Sequence, residues 1–227
     1  DLLNYEGNAQ GFRLLVRNEH HPDKGGMRLT CATLGAFMKY PWLASPSKVT
    51  GKPEANKNES TVIDKVPKFG SFVSEAAQLE ELASCLQLPR LTVHDGFARH
   101  PLAYLLEAAD DICYALIDLE DGIHLNMLPF DEVATIFYQL IGERPTTIIL
   151  PAQISVRQQL ASLRARAMMR LVNTVTDAFV ANSEEMLAGT LSGSLFAHCD
   201  SEVQSGIVQA KQLARERIFN HPSKVRM

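Results

Sequence analysis

The chain has 227 residues, 46% of them hydrophobic and 21% charged, a balance that fits a folded domain and excludes a disordered one. A net charge of −4 excludes the basic footprint of a general nucleic-acid or membrane-surface binder. No apolar run approaches the roughly 18–20 residues of a membrane span, and no signal-peptide pattern is read at Asp1. The four cysteines, at 31, 85, 113 and 199, form no Cys-x-x-Cys pair, and three lie in helix-like apolar patterns. Buried free thiols in a reducing compartment are therefore expected, and with them a cytoplasmic location.

Apolar residues recur at helical spacing along nearly the whole chain, and period-2 alternation is almost absent. The first helix is expected over 2–18, around Leu2, Phe12, Leu14, Leu15 and Val16. A second covers 28–39 and is stopped by Pro41. Residues 41–70 follow as one long loop holding Pro41, Pro46, Pro53 and Pro67, with five lysines against three acids. Loops of that length are functional or disordered, so a basic flap near an anionic ligand stands beside a solvated loop. A third helix is expected over 73–88, with Ser74 as its cap. A long helix runs from about Gly96 to Leu125, and Pro101 is tolerated in its first turn. Helices follow over 131–141, ended by Gly142, and over 155–181, where Leu160, Leu163, Ala167, Leu171, Val175 and Ala178 share one side. A short helix from Ser183 and a last one over 201–219 complete the chain. "TTIILP" at 146–151 is the only strand-like stretch. The class is all-α, and the chain is expected to be a single helical domain over 1–227.

The long helix raises the functional question. Residues three, four and seven apart share a helical face, so Glu107, Asp110, Asp111, Tyr114, Asp118 and Asp121 form one polar stripe. Leu102, Leu105, Leu106, Ala109, Ile112, Cys113, Leu116 and Ile117 cover most of the rest. The stripe is either the wet side of an amphipathic helix or the border of a polar pocket in which a divalent cation offsets carboxylate desolvation. A hard cation needs more ligands than one helix supplies. His94 and Asp95 lie in a turn between Pro89 and the helix, and "HHPD" at 20–23 reads as a surface turn beside Gly25-Gly26. Neither completes a site.

Six stretches together resemble one family: "YEGNAQGFRLL" (5–15), "GMRLTCATLGAFMKYPW" (26–42), "KFG" (68–70), "RHPLAYLLEAADDICYALIDLEDGI" (99–123), "LRARAMMRLVN" (163–173) and "IFNHPSKV" (218–225). In this order they resemble the bacterial dGTPases, deoxynucleoside triphosphate triphosphohydrolases of the HD-domain superfamily. The resemblance implies an HD-domain-like helical bundle, incomplete at both ends, and a divalent metal, Mg²⁺ or Mn²⁺, held by one His, a His-Asp dyad and a later Asp. Asp110 matches that later Asp. Asp111 would hold the helix in register or polarise the site, with Glu107 beside it. Tyr114 matches a Tyr that borders the sugar and excludes ribose. Asn8, Lys39 and Tyr40 match positions at the phosphates, with Lys68 as a lesser candidate for the same work.

The family's first His, its dyad and its catalytic His and Glu precede "EGNAQ", so His94-Asp95 is not the dyad and no catalytic residue is assigned in this chain. The resemblance implies hydrolysis of dGTP or another dNTP to deoxynucleoside and tripolyphosphate by the intact protein, with this piece alone inactive. It also implies a homo-oligomer, and leaves single-stranded DNA as an effector that the charge does not indicate. The competing reading is a catalytically silent helical domain for oligomerisation or nucleotide binding, with Arg157, Arg164, Arg166 and Arg170 as an interface or anion-binding surface.

Overall fold

The computed structural model describes residues 5–18, 25–44, 68–91, 95–143 and 154–221. Among them the chain is all-α: helices α1 (Gly7–Arg13), α2 (Cys31–Phe37), α3 (Ala76–Leu86), α4 (Pro101–His124), α5 (Phe130–Ile141), α6 (Val156–Ala181), α7 (Ser183–Ala188) and α8 (Ser201–Ala214). The sheet content is a two-residue ribbon, β1 (Arg90–Leu91) antiparallel to β2 (Gly96–Phe97). The chain divides into two compact units, one of Asp1–Leu106 with Glu184–Leu191, the other of Glu107–Ser183 with Ser192–Met227.

The first unit packs α1, α2 and α3 around Phe12, Met38, Leu79, Leu82, Ala83 and Phe97. A second cluster joins Ala9, Phe69 and Phe72. Its helices start where local chemistry offers an acceptor for the orphan N–H groups. Glu6 caps α1 by accepting from the backbone of Asn8 and Ala9. Thr30 caps α2 through Thr33 N–H. Ser74 is not the cap of α3 that the sequence leads one to expect. It sits in a 3₁₀ turn, Val73–Glu75, where its hydroxyl accepts from Arg13 and donates to the Glu75 carboxylate. That carboxylate is fully buried, and Arg13 (3.0 Å) and Arg17 (2.8 Å) both reach it. Burial by itself raises the Glu75 pKa, but hydrogen bonds from Arg17, Ser74 and Arg13 and the charge of Arg13 outweigh it, and the group lies below its ordinary value of 4.5.

In the second unit, α6 turns the predicted side inward: Leu160, Leu163, Ala167, Leu171, Val175 and Ala178 are all buried. It starts at a capping box in which Ser155 and Gln158 each serve the other's backbone. α5 packs against both α6 and α8, and Val133, Phe137, Leu140, Val203 and Ile207 are buried there. α5 ends at Gly142, whose φ of 76° is the left-handed terminator geometry that favours glycine. Arg170 lies against that end, donating to the carbonyls of Gln139 (3.2 Å) and Leu140 (3.3 Å), and its other nitrogen meets Asp200 and Glu202 near the start of α8.

Four expectations need correction. α4 begins at Pro101, because Gly96 and Phe97 are held in the ribbon and Phe97 N–H donates to Pro41 O. Leu102, Leu106 and Ile117 are exposed, although they belong to the apolar side of the stripe. The first helix begins at Gly7, with Tyr5 and Glu6 outside it. The cysteines are not four free thiols: Cys31 and Cys85 form a disulfide with a Cα–Cα separation of 6.5 Å, joining α2 to α3. Of the two free thiols, Cys113 is exposed. Burial, and next the charge of Asp200, push Cys199 up to about 11. Residues 45–67 of the expected loop, "TTIILP" and "HHPD" lie outside the described residues.

Candidate functional site

The sequence candidates fall into two groups, one in each unit. In the first unit Tyr40 is the centre. It follows Lys39 just after α2, and its ring meets Trp42 edge-on at 5.5 Å. The Trp42 indole Nε1–H donates to the carbonyl of Lys68 (2.7 Å), and the Gly70 backbone N–H donates to Trp42 O. These bonds draw the 68–70 segment against 40–42 across a sequence gap no periodicity reveals. Gly70 is required there, because a Cβ would run into the Tyr40 carbonyl and the Met38 sulfur. As a result Lys68 Nζ lies 3.2 Å from the Tyr40 hydroxyl and 5.4 Å from its ring centroid. Lys39 is half-buried beside them.

Sequence reasoning passes over Arg99, which the fold brings to the same ring. Its guanidinium carbon is 5.6 Å from the centroid of Tyr40 and 5.3 Å from that of Tyr104. The signals for it are its place at the head of the 99–123 stretch and immediately before the His100-Pro101 start of α4. His100 serves that helix end: Nδ1 accepts from Leu102 N–H (3.2 Å), which requires the neutral ring, and burial lowers its pKa.

Asn8 is placed differently. Glu6 accepts from its backbone N–H (2.6 Å) and from its side-chain Nδ2 (2.8 Å). One of the two amide donors is therefore engaged, and a carboxylate lies beside a position expected to face phosphate.

The second group occupies α4 in the other unit. Glu107, Asp110 and Asp111 are half-buried, and Tyr114, one turn on, is 58% exposed. Asp111 pairs with Lys211 of α8 at 2.8 Å. Asp95 is exposed in its turn and meets Arg90 at 3.6 Å, as a solvated ion pair does. His94 lies outside the described residues.

Among the described residues no three His, Cys, Asp or Glu side chains converge as a metal site. Asp110 offers one carboxylate and not a ligand set, so these residues by themselves do not fit a bound cation, and no step is derived through one. Three of the four α6 arginines are committed inside the unit: Arg164 pairs with the buried Glu120, Arg166 pairs with Glu143 at 3.9 Å, and Arg170 holds the end of α5. No described helix is long and apolar enough to cross a membrane.

No family model matches the chain. Across 226 residues, 99% of its length, it is 42% identical to a deoxyguanosinetriphosphate triphosphohydrolase-like protein of Pseudomonas aeruginosa strain LESB58, 48% of which is covered. It is 34% identical over 233 residues to a protein of the same name from Synechocystis, covering all of this chain and 49% of the relative. A deoxyguanosinetriphosphate triphosphohydrolase of Cronobacter sakazakii is 28% identical over 98% of this chain and 43% of its own length. The chain thus spans about half the length of the curated relatives it matches.

Proposed function

We propose, since the chain belongs to the deoxyguanosinetriphosphate triphosphohydrolase-like family, that it is part of an enzyme hydrolysing dGTP or another deoxynucleoside triphosphate to deoxynucleoside and tripolyphosphate. In that reaction water adds at the α-phosphorus, the bond to the 5′-oxygen breaks, and the 5′-oxygen leaves with a proton. No residue of this chain is assigned the proton transfer.

The observation that carries the reading is the basic corner at Tyr40, where Lys68 lies within hydrogen-bond reach of the phenol and Lys39 is next in sequence. Fixed ammonium groups offset charge on a phosphate tail, and a hydroxyl adds a directional donor. On this reading Lys39, Lys68 and Tyr40 hold the phosphates and Tyr114 lies along the deoxyribose. Asp110 would supply one oxygen ligand to Mg²⁺ or Mn²⁺, an ion that the described residues cannot hold by themselves. Asp111 and Glu107 flank that carboxylate, and Asn8 borders the phosphates with Glu6 beside it. Homo-oligomerisation and a cytoplasmic setting belong to the same proposal.

The test compares the full-length reading frame with the 227-residue chain, each incubated with dGTP and Mg²⁺ or Mn²⁺ and followed by ³¹P NMR. The full-length protein should release tripolyphosphate and deoxyguanosine, and the chain alone should release neither. Appearance of orthophosphate or pyrophosphate as the first product, or no turnover of any dNTP by the full-length protein, would overturn the reading.

A further inference from the structure

Glu6 binds Asn8 through both of its carboxylate oxygens, and the two do different things. Oε2 accepts from the backbone N–H groups of Asn8 (2.6 Å) and Ala9 (3.1 Å) and so caps α1. Oε1 accepts from the Asn8 side-chain Nδ2 at 2.8 Å. A carboxylate has acceptors only, so it takes the amino end of the amide, and chemistry fixes which end of Asn8 faces it. Asn8 is half-buried, and among the described residues its second side-chain N–H and its Oδ1 meet no hydrogen-bond partner. The backbone beside it is held as firmly. Ala9 is fully buried against Phe69 and Phe72, with Trp42 packed on the same cluster. Phe69 follows Lys68, and the Trp42 ring meets that of Tyr40. The start of α1 is therefore seated on the apolar cluster that carries the Tyr40 corner.

We infer that Glu6 is a positioning residue for the ligand: it holds the Asn8 amide in one of its two orientations, with the remaining N–H turned to a phosphate oxygen of the oligophosphate portion. This rests on the reading of Asn8 given above, as a residue bordering the phosphates. The physical argument is the shape of the amide. Its terminal torsion has two broad wells, and one presents a donor where the other presents a carbonyl oxygen. Phosphate oxygens accept, so the donor well binds them, whereas the other sets two acceptors against each other. A carboxylate that engages the amino group removes this rotation before the ligand arrives, and binding need not supply the ordering. Glu6 suits the task because its side chain is long enough for one carboxylate to cap the helix and clamp the amide together. Aspartate is one methylene shorter. It caps a helix well, but it does not reach the backbone and the amide at once.

The experiment uses the full-length protein with inorganic tripolyphosphate as the probe. Affinity is measured by calorimetry for the wild type, Glu6→Asp, Asn8→Ala and the double variant. Asn8→Ala should weaken tripolyphosphate about tenfold, the scale of a lost hydrogen bond to a charged group. Glu6→Asp should weaken it about threefold to tenfold, the scale of ordering one polar side chain, with the thermal midpoint unchanged. The double variant should bind no more weakly than Asn8→Ala, because the clamp has nothing left to hold. A Glu6 that only caps α1 would not give this pattern, since its loss would add to that of Asn8→Ala. Additive losses overturn the inference for Glu6 and leave Asn8 at the phosphates. Unchanged or tighter binding in Glu6→Asp, with Asn8→Ala still weakening the probe, does the same. No weakening in Asn8→Ala removes Asn8 from the phosphates and the inference with it. If the wild-type protein binds no tripolyphosphate, the phosphate reading of the site is itself refuted. Should Glu6→Asp fail to fold, judged by circular dichroism, Glu6→Ser, a capping residue likewise too short to reach the amide, decides by the same cycle.

Discussion

Asp111 and Lys211 form an ion pair within one unit, with Lys211 Nζ 2.8 Å from Asp111 Oδ1, and the pair ties α4 to α8. Its neighbour Asp110 lies about 100° further round the same helix. On the proposed function the adjacent carboxylates do different work, and the difference can be measured. Lys211 is 44% exposed, so solvent screening keeps the pair at about 1 kcal/mol or below. Asp111→Asn should lower the stability of the full-length protein by no more than that and leave most of the dGTP hydrolysis proposed for it. Asp110→Asn should abolish the proposed hydrolysis. The reverse pattern would transfer the functional role to Asp111.

Glu75 makes the acid limb of the stability profile predictable. Its folded pKa is lowered from 4.5, so its contribution is complete above that value and is lost as pH falls through the folded one. Removing one partner of a buried pair costs about 3–5 kcal/mol. Arg13 and Arg17 are 24% and 48% exposed and can regain water, which brings the expected cost of Glu75→Gln to about 2 kcal/mol at neutral pH. Urea unfolding from neutral pH down to about pH 3 should show the wild type converging on the variant as Glu75 protonates. A constant gap across that range would mean that the carboxylate charge contributes nothing.

What was legible in the sequence follows from how local each determinant is. The buried side of α6 is named residue by residue by its spacing, because a stripe at three- and four-residue intervals has only one inward orientation. On α4 the same reasoning fails. Apolar residues cover most sides of that helix, and which of them find a partner depends on what packs there, so Leu102, Leu106 and Ile117 end exposed. Ser74 has the right position for a cap, but Arg13 and Glu75, distant in sequence or facing inward, compete for its hydroxyl. The Tyr40 corner was half legible. Lys39, Tyr40 and Lys68 come from motif resemblance, whereas Arg99 reaches Tyr40 through backbone bonds across some sixty residues, which no local pattern encodes. The Cys31–Cys85 link is invisible for the same reason, with 54 residues between its ends.

Gly142 and Arg170 should behave as one device. Gly142→Ala places a Cβ at φ 76° and against the Arg170 guanidinium. Left-handed backbone alone costs an alanine about 1 kcal/mol, and displacing Arg170 from the carbonyls of Gln139 and Leu140 adds to it. Arg170→Ala should cost about 2 kcal/mol, the scale of lost charged hydrogen bonds at a partly buried helix end. Arg170→Lys should recover less than half, since a single ammonium cannot serve the carbonyls and the Asp200–Glu202 pair together. The double variant Gly142→Ala/Arg170→Ala should be less destabilised than the sum of the two single ones. Additive losses in urea titrations would show that the glycine and the arginine act independently.

The four thiols should separate into three reactivity classes, and that ordering tests the disulfide directly. Cys113 is exposed on α4 and should alkylate first in the native, non-reduced protein. Cys199, pushed up to about 11 by burial and by Asp200, donates to the Leu195 carbonyl and carries almost no thiolate at pH 8, so it should react last. Cys31 and Cys85 should be unreactive until a reductant is added and should then react ahead of Cys199. Closing a 54-residue loop stabilises by about 4 kcal/mol on the chain-entropy account. Reduction, or Cys31→Ser, should therefore lower the thermal midpoint by several degrees through the α2–α3 contact. Intact-mass analysis after iodoacetamide, with and without reductant, reads all three classes. Three rapidly labelled thiols without reductant would restore the free-thiol expectation and remove the link between α2 and α3.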